Sequence, residues 1–185
     1  MKIKEYKIIS KEENGTFPQL ECIAEYKMIY DDMFLYLYHD NYEFEYLFFG
    51  EVLKLQNNYL EKCYVMSYDG ANNIVGIFLV SSGGKNENTI YYDNIMTYLL
   101  LSGSKSFITI HNHPNNNQQK SFDDIIVDNT IKDISEILNI EYKSGLIITK
   151  KSIDELYKKI DNYEFDYCDN NKTILNEELL NKGDI

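Results

Sequence analysis

His111-Asn112-His113-Pro114-Asn115-Asn116-Asn117-Gln118-Gln119-Lys120-Ser121-Phe122-Asp123-Asp124 is the stretch on which the reading of this chain turns. The apolar run Phe107 to Ile110 leads straight into it and reads as a short buried strand. On an extended segment, side chains two residues apart share a face, so His111 and His113 point the same way. Both imidazoles then reach one cation at about 2.0–2.1 Å. Pro114 removes a backbone donor and biases His113 to an extended conformation, which preserves that geometry. After a polar loop, Ser121 opens a helix over Phe122 to Leu138, whose Val127, Ile131, Ile134 and Leu138 recur at helical steps. Asp124 falls in its first turn, where the helix can bring a carboxylate back to the same cation. Two His and one carboxylate leave a position open for water, the arrangement of a catalytic site, and the ligand types suit zinc.

Spacing alone admits other assignments. Asp123 is as well placed as Asp124. The third His of the chain, His39, lies far upstream and would have to join for a three-His site. Ser121 with Asp124 is also a plain helix N-terminal signature, in which the carboxylate satisfies backbone N–H groups.

Upstream, Lys62 to Tyr68 and Ile74 to Ser81 read as strands joined by the turn signal Asp69-Gly70-Ala71-Asn72-Asn73, hence a hairpin. Tyr91 to Leu101 reads as a helix burying Ile95, Met96, Leu99 and Leu100. Asn41 to Gln56 reads as a helix capped by Asp40 or Asn41. Lys11 to Phe17 is a turn after Lys4 to Ile9, and Met33 to Tyr38 is apolar but ambiguous. Downstream, Gly145 to Thr149 is a strand. Ser152 opens a helix to Ile160, with Glu155 completing a capping box. A short helix is expected at Ile174 to Leu180. This order predicts an α/β fold, a mixed β-sheet with flanking helices.

The 185 residues carry a net charge of −12, and all 18 basic residues are Lys. Nucleic-acid binding wants a basic surface and commonly the Arg fork, so the charge argues against it. Cys22, Cys63 and Cys168 are odd in number, far apart and form no C-x-x-C, so a disulfide framework or a thiolate zinc site is not supported. The longest apolar run, Ile74 to Val80, falls far short of the roughly 20 residues that span a bilayer. Met1 to Lys11 has no apolar stretch of a signal peptide, so a cytoplasmic location is expected.

His111-x-His113-Pro114 followed by Ser121 and Asp124 resembles the signature of the JAB/MPN (JAMM) metalloprotease superfamily. The His-Asn-His-Pro form is most similar to its RadC-like branch. The hairpin at Tyr68-Asp69-Gly70 and the stretch Leu138-Asn139-Ile140 resemble that branch as well. The resemblance implies a JAB/MPN (cytidine-deaminase-like) core over about 41–160. Residues 1–40 would be an N-terminal extension and 161–185 an acidic tail of one domain spanning 1–185. It implies Zn2+ on His111, His113 and Asp124, Glu61 as general base, and Ser121 at the water or tetrahedral intermediate. It departs from the branch where Asn115 to Lys120 replaces the usual Ser-Gly and Pro-containing loop, and residues 1–40 lack the Gly-x-Gly turns of a helix-hairpin-helix region.

The expected function is zinc-dependent hydrolysis of peptide or isopeptide bonds in a peptide or protein substrate, with no membrane partner. Every residue that the resemblance assigns to this chemistry is retained. The alternative is a non-catalytic interaction or regulatory protein, mobile-element or phage associated, that keeps the metal for structure. A homo-oligomer is compatible with either.

Overall fold

The computed structural model describes residues 1–10, 17–28, 42–83, 89–159, 166–168 and 173–175. Its frame is one mixed eight-stranded sheet in the order β6-β5-β3-β4-β1-β2-β8-β7. The strands are β1 (Lys2–Ser10), β2 (Pro18–Met28), β3 (Lys62–Tyr68), β4 (Ile74–Ser82), β5 (Ser106–Asn112), β6 (Glu141–Ile148), β7 (Asp166–Cys168) and β8 (Thr173–Leu175). The pairs β5–β6, β1–β4 and β2–β8 are parallel and the rest antiparallel. The helices are α1 (Glu43–Leu47), α2 (Tyr92–Ser102), α3 (Phe122–Ile137) and α4 (Lys150–Lys159).

β3 and β5 lie inside the sheet and are covered on both faces, so they are buried along almost their whole length rather than alternating between buried and exposed. Tyr64, Met66, Ile108 and Ile110 pack with Phe44, Phe48, Phe49 and Ile153 on the face of α1 and α4. Cys63, Val65 and Phe107 pack with Ile95, Tyr98, Leu99 and Ile131 on the face of α2 and α3. Each fully buried side chain of this size contributes about 1.5–3 kcal/mol. The second face carries the site, because Thr109 and His111 share it with Phe107.

Several local expectations change. Leu100 is 57% exposed, and Tyr98 takes its place inside. Tyr98 sits one helical turn from Ile95, stacks on Phe78 at 5.0 Å, and its hydroxyl finds Ser67 Oγ at 2.9 Å. The helix expected over 41–56 is regular only as α1. It continues as a π turn at Phe48–Val52 and a 3-10 turn at Leu55–Asn57. Both Phe48 and Phe49 are buried, against Tyr26 and Tyr64 respectively, and the wider turn accommodates two neighbouring aromatics facing the core. Its N-cap is Tyr42 in the left-handed region at φ 61°, while Asp40 and Asn41 fall outside the described residues, as do Met33 to Tyr38.

α4 starts before Ser152. Thr149 and Ser152 cap it reciprocally, with Ser152 N–H donating to Thr149 Oγ1 at 3.1 Å and Thr149 N–H donating to Ser152 Oγ at 2.9 Å. Glu155 instead accepts a bond from Gln118 at 3.3 Å. Thr173–Leu175 is a strand where a helix start was expected at Ile174, and it pairs with Lys27 and Met28. The outer edge of β2 offers unpaired backbone groups, and β-branched Thr and Ile suit a strand.

The N-terminal hairpin joins the central sheet through two residue pairs, Glu5 with Ile77 and Tyr6 with Phe78. Gly76 permits this approach: a Cβ there would lie 2.6 Å from the Tyr6 ring and 2.7 Å from the Lys4 carbonyl oxygen. Since one of those neighbours is backbone, Gly76→Ala is expected to cost about 1–3 kcal/mol. Urea unfolding checks this, and an unchanged midpoint would contradict the packing described.

Candidate metal centre

The end of β5, the loop 113–121 and the first turn of α3 meet over the sheet. Antiparallel pairing sets Cys63 opposite His111, so Glu61, just before β3, lies at the end of the sheet where β5 runs into His113. Glu61, Cys63, Thr109, His111, His113, Ser121, Asp123, Asp124 and Asp128 line one cavity of about 730 Å³, with Ile90, Val127 and Ile131 as its apolar wall. α3 comes close to the sheet here because β6 carries Gly145, where a Cβ would collide with the Asp128 carboxylate.

His111 Nε2 lies 3.0 Å from His113 Nε2. Asp124 Oδ1 is 3.2 Å from His111 Nε2, and Asp124 Oδ2 is 3.4 Å from His113 Nε2. All three side chains are largely buried, at 11–16% exposure. A tetrahedral ion with donors at about 2.0–2.1 Å spaces them about 3.3 Å apart, so the observed separations fit one ion. Among the described residues these three form the group of His, Cys, Asp and Glu side chains close enough to share a metal. Asp123, equivalent on spacing, reaches the cavity but not this group. His39 lies outside the described residues.

The surrounding bonds orient the donors. His113 Nδ1 lies 2.8 Å from the Asn117 carbonyl oxygen, which can only accept, so the ring proton sits on Nδ1 and Nε2 keeps its lone pair. The Asn run makes that carbonyl available. Asn115 Oδ1 accepts Asn117 N–H at 3.0 Å, Asn117 Oδ1 accepts Gln119 N–H at 3.1 Å, and Asn116 takes φ 61°. The loop that departs from the RadC-like pattern is therefore a self-bonded turn that aims a histidine.

Ser121 caps α3. Its Oγ accepts Asp124 N–H at 3.1 Å, and its own N–H donates to Asp124 Oδ2 at 2.7 Å. Ser121 Oγ–H also lies 2.6 Å from that carboxylate oxygen. Burial works to raise the Asp124 pKa, but the bonds from His111 and Ser121 hold it well below the usual carboxylate range. Cap and ligand geometry thus coexist in one residue pair. Beside it, burial pushes the Cys63 thiol up, helped by the charges of Glu61, Asp128 and Asp124. Asp128 is itself satisfied by Lys120 and by the Tyr142 hydroxyl at 2.7 Å.

The family model of the RadC-like JAB domain matches residues 44–159. The chain belongs to the RadC-like JAB domain family. Relatives of this JAB-domain chain are UPF0758 proteins. That of Methanospirillum hungatei is 26% identical over 107 residues, covering 58% of this chain and 48% of the relative. That of Clostridium tetani is 29% identical over 103 residues, covering 56% and 44%. That of Desulfitobacterium hafniense (strain DSM 10664 / DCB-2) is 30% identical over 84 residues, covering 45% and 37%. The chain spans less than half the length of each of these relatives.

One residue of this JAB site gives no signal as a functional group in the sequence. Asn112, between the two His, reads as a polar spacer, yet it is fully buried and makes three bonds, two to the segment before β3 and one to Lys62, the first residue of β3.

Because Ser121 closes a capping box, Ser121→Ala is expected to lower the stability of the metal-free chain by about 0.5–2 kcal/mol. Urea unfolding with chelator present measures it, and no loss would mean that the cap is not made in solution.

Proposed function

We propose that this RadC-like JAB chain is a zinc-dependent hydrolase that cleaves peptide or isopeptide bonds. The observation that carries the reading is the convergence of His111 Nε2, His113 Nε2 and the Asp124 carboxylate at 3.0–3.4 Å, with Glu61 on the wall of the same cavity. Zinc bound by those three side chains would act as a Lewis acid that polarises a carbonyl and makes water acidic enough to ionise near neutral pH. Glu61 accepts the proton of the attacking water and returns it to the leaving amine. Ser121 orients Asp124 in the resting site, where its one hydroxyl proton is directed, and a hydrogen bond to the oxyanion would need that proton to turn from Asp124 into the cavity that Ser121 lines.

The cavity chemistry supports a neutral or cationic substrate. Glu61, Asp123, Asp124 and Asp128 line it, and no Lys does among the described residues. A polyanion such as nucleic acid would be repelled. The apolar wall of Ile90, Val127 and Ile131 offers room for an aliphatic side chain or stem. No described helix is long and apolar enough to cross a membrane.

The test is turnover of an internally quenched peptide library, including lysine-isopeptide conjugates, by the zinc-loaded chain. Glu61→Gln is expected to keep the zinc and lose about 10²–10⁴-fold in rate. Full activity in that variant would rule the mechanism out. Zinc bound with no turnover of any member would favour a non-catalytic role for the fold.

A further inference from the structure

Glu61 precedes β3 instead of lying within it, so strand pairing alone does not hold it. We infer that Asn112 is a positioning residue for Glu61, its side-chain amide fixing the backbone on both sides of the carboxylate. This rests on the reading of Glu61 as general base.

Asn112 Nδ2 donates to the Asn58 and Leu60 carbonyls at 3.2 and 3.1 Å, and Asn112 Oδ1 accepts Lys62 N–H at 2.8 Å. The Glu61 carbonyl accepts Gly83 N–H at 2.8 Å. The peptide unit before Glu61 is therefore held through the Leu60 carbonyl. The unit after it is held through both the Glu61 carbonyl and the Lys62 N–H. A peptide unit is rigid, so fixing the two that flank a residue fixes its φ and ψ. The direction of the Glu61 side chain then follows, apart from its own rotamers.

The residue that does this stands between the two imidazoles on β5. His111 and His113 face the cavity, while Asn112 points to the opposite side of the strand. The two histidines and the base are thus tied to one strand, the Asn112 amide and the Gly83 N–H together holding the backbone at Glu61. Asn is suited to the task. Its planar amide carries two donors and an acceptor, whereas Asp would turn lone pairs towards the carbonyls of Asn58 and Leu60. Both Nδ2 protons are spent on these contacts, and the group is wholly shielded from water, with 0% exposure.

The experiment compares Asn112→Asp, Glu61→Gln and the double variant in the zinc-loaded full chain. The probe is the library peptide that the parent cleaves fastest. Asn112→Asp is expected to keep its zinc and its KM while kcat falls about 10- to 100-fold. Added to Glu61→Gln, it should cost nothing further, because a residue acting only through Glu61 has nothing left to position. A full additive loss in the double variant, or loss of zinc with Asn112→Asp, would overturn the inference.

A readout free of turnover is the visible absorption of Co2+ loaded in place of zinc, followed against pH. Glu61→Gln is expected to move its midpoint, and Asn112→Asp to move it as well. A midpoint moved by the first and not by the second would overturn the role of Asn112 alone. A midpoint unmoved by Glu61→Gln would overturn the reading of Glu61 itself, and the inference with it. Should Asn112→Asp fail to fold, Asn112→Ala, which brings no charge into the strand, takes its place in both measurements.

Discussion

Two imidazole nitrogens and a carboxylate held within 3.4 Å of one another repel unless a cation or a proton stands between them. Folding keeps them there by fixing each from outside. His113 is turned by the Asn117 carbonyl, Asp124 by the Ser121 hydroxyl and N–H, and His111 by its place in a strand paired on both sides. A polar cluster of this kind, largely shielded from water, is costly without a partner for its lone pairs. An ion supplies that partner for all three at once, whereas a proton can serve only one pair at a time.

The scaffold serves this cluster through three separations. β5 carries His111, leads directly into His113, and presents from its other face the Asn112 amide that anchors the start of β3. α3 brings the third donor in its first turn, seated on the sheet by Ile131 and brought close by Gly145 of β6. α2 and the strand pair β3–β4 supply the apolar mass beneath, through Tyr98, Phe78 and Val65. The N-terminal hairpin and β8 widen the sheet on the side away from the site, and these strands lie outside the segment matched to the family.

The parts legible in the sequence are those with a short period. Alternation put His111 and His113 on one face. Helical spacing from Val127 to Leu138 gave α3, and the turn signal at Asp69 to Asn73 gave the β3–β4 hairpin. What escaped needed a partner distant in sequence. Asn112 bonds residues about 50 positions earlier, so nothing beside it in the chain marks it. Tyr98 displaces Leu100 from the core because Ser67 and Phe78 receive it, and both belong to other elements. One miss was local: Ser152 shares the cap of α4 with Thr149, three residues earlier and just past the end of β6, so the helix starts sooner than Ser152 alone suggests. The strand at Thr173–Leu175 depends on the edge of β2, which local propensity does not reveal.

The measurement that bears most directly on the central claim is elemental analysis of the purified chain beside Asp124→Ala. The account predicts about one zinc per parent chain, lost or much weakened in the variant, as expected when one of three ligands is removed. A parent chain that holds no metal even after incubation with zinc, or a variant that holds as much as the parent, would contradict it.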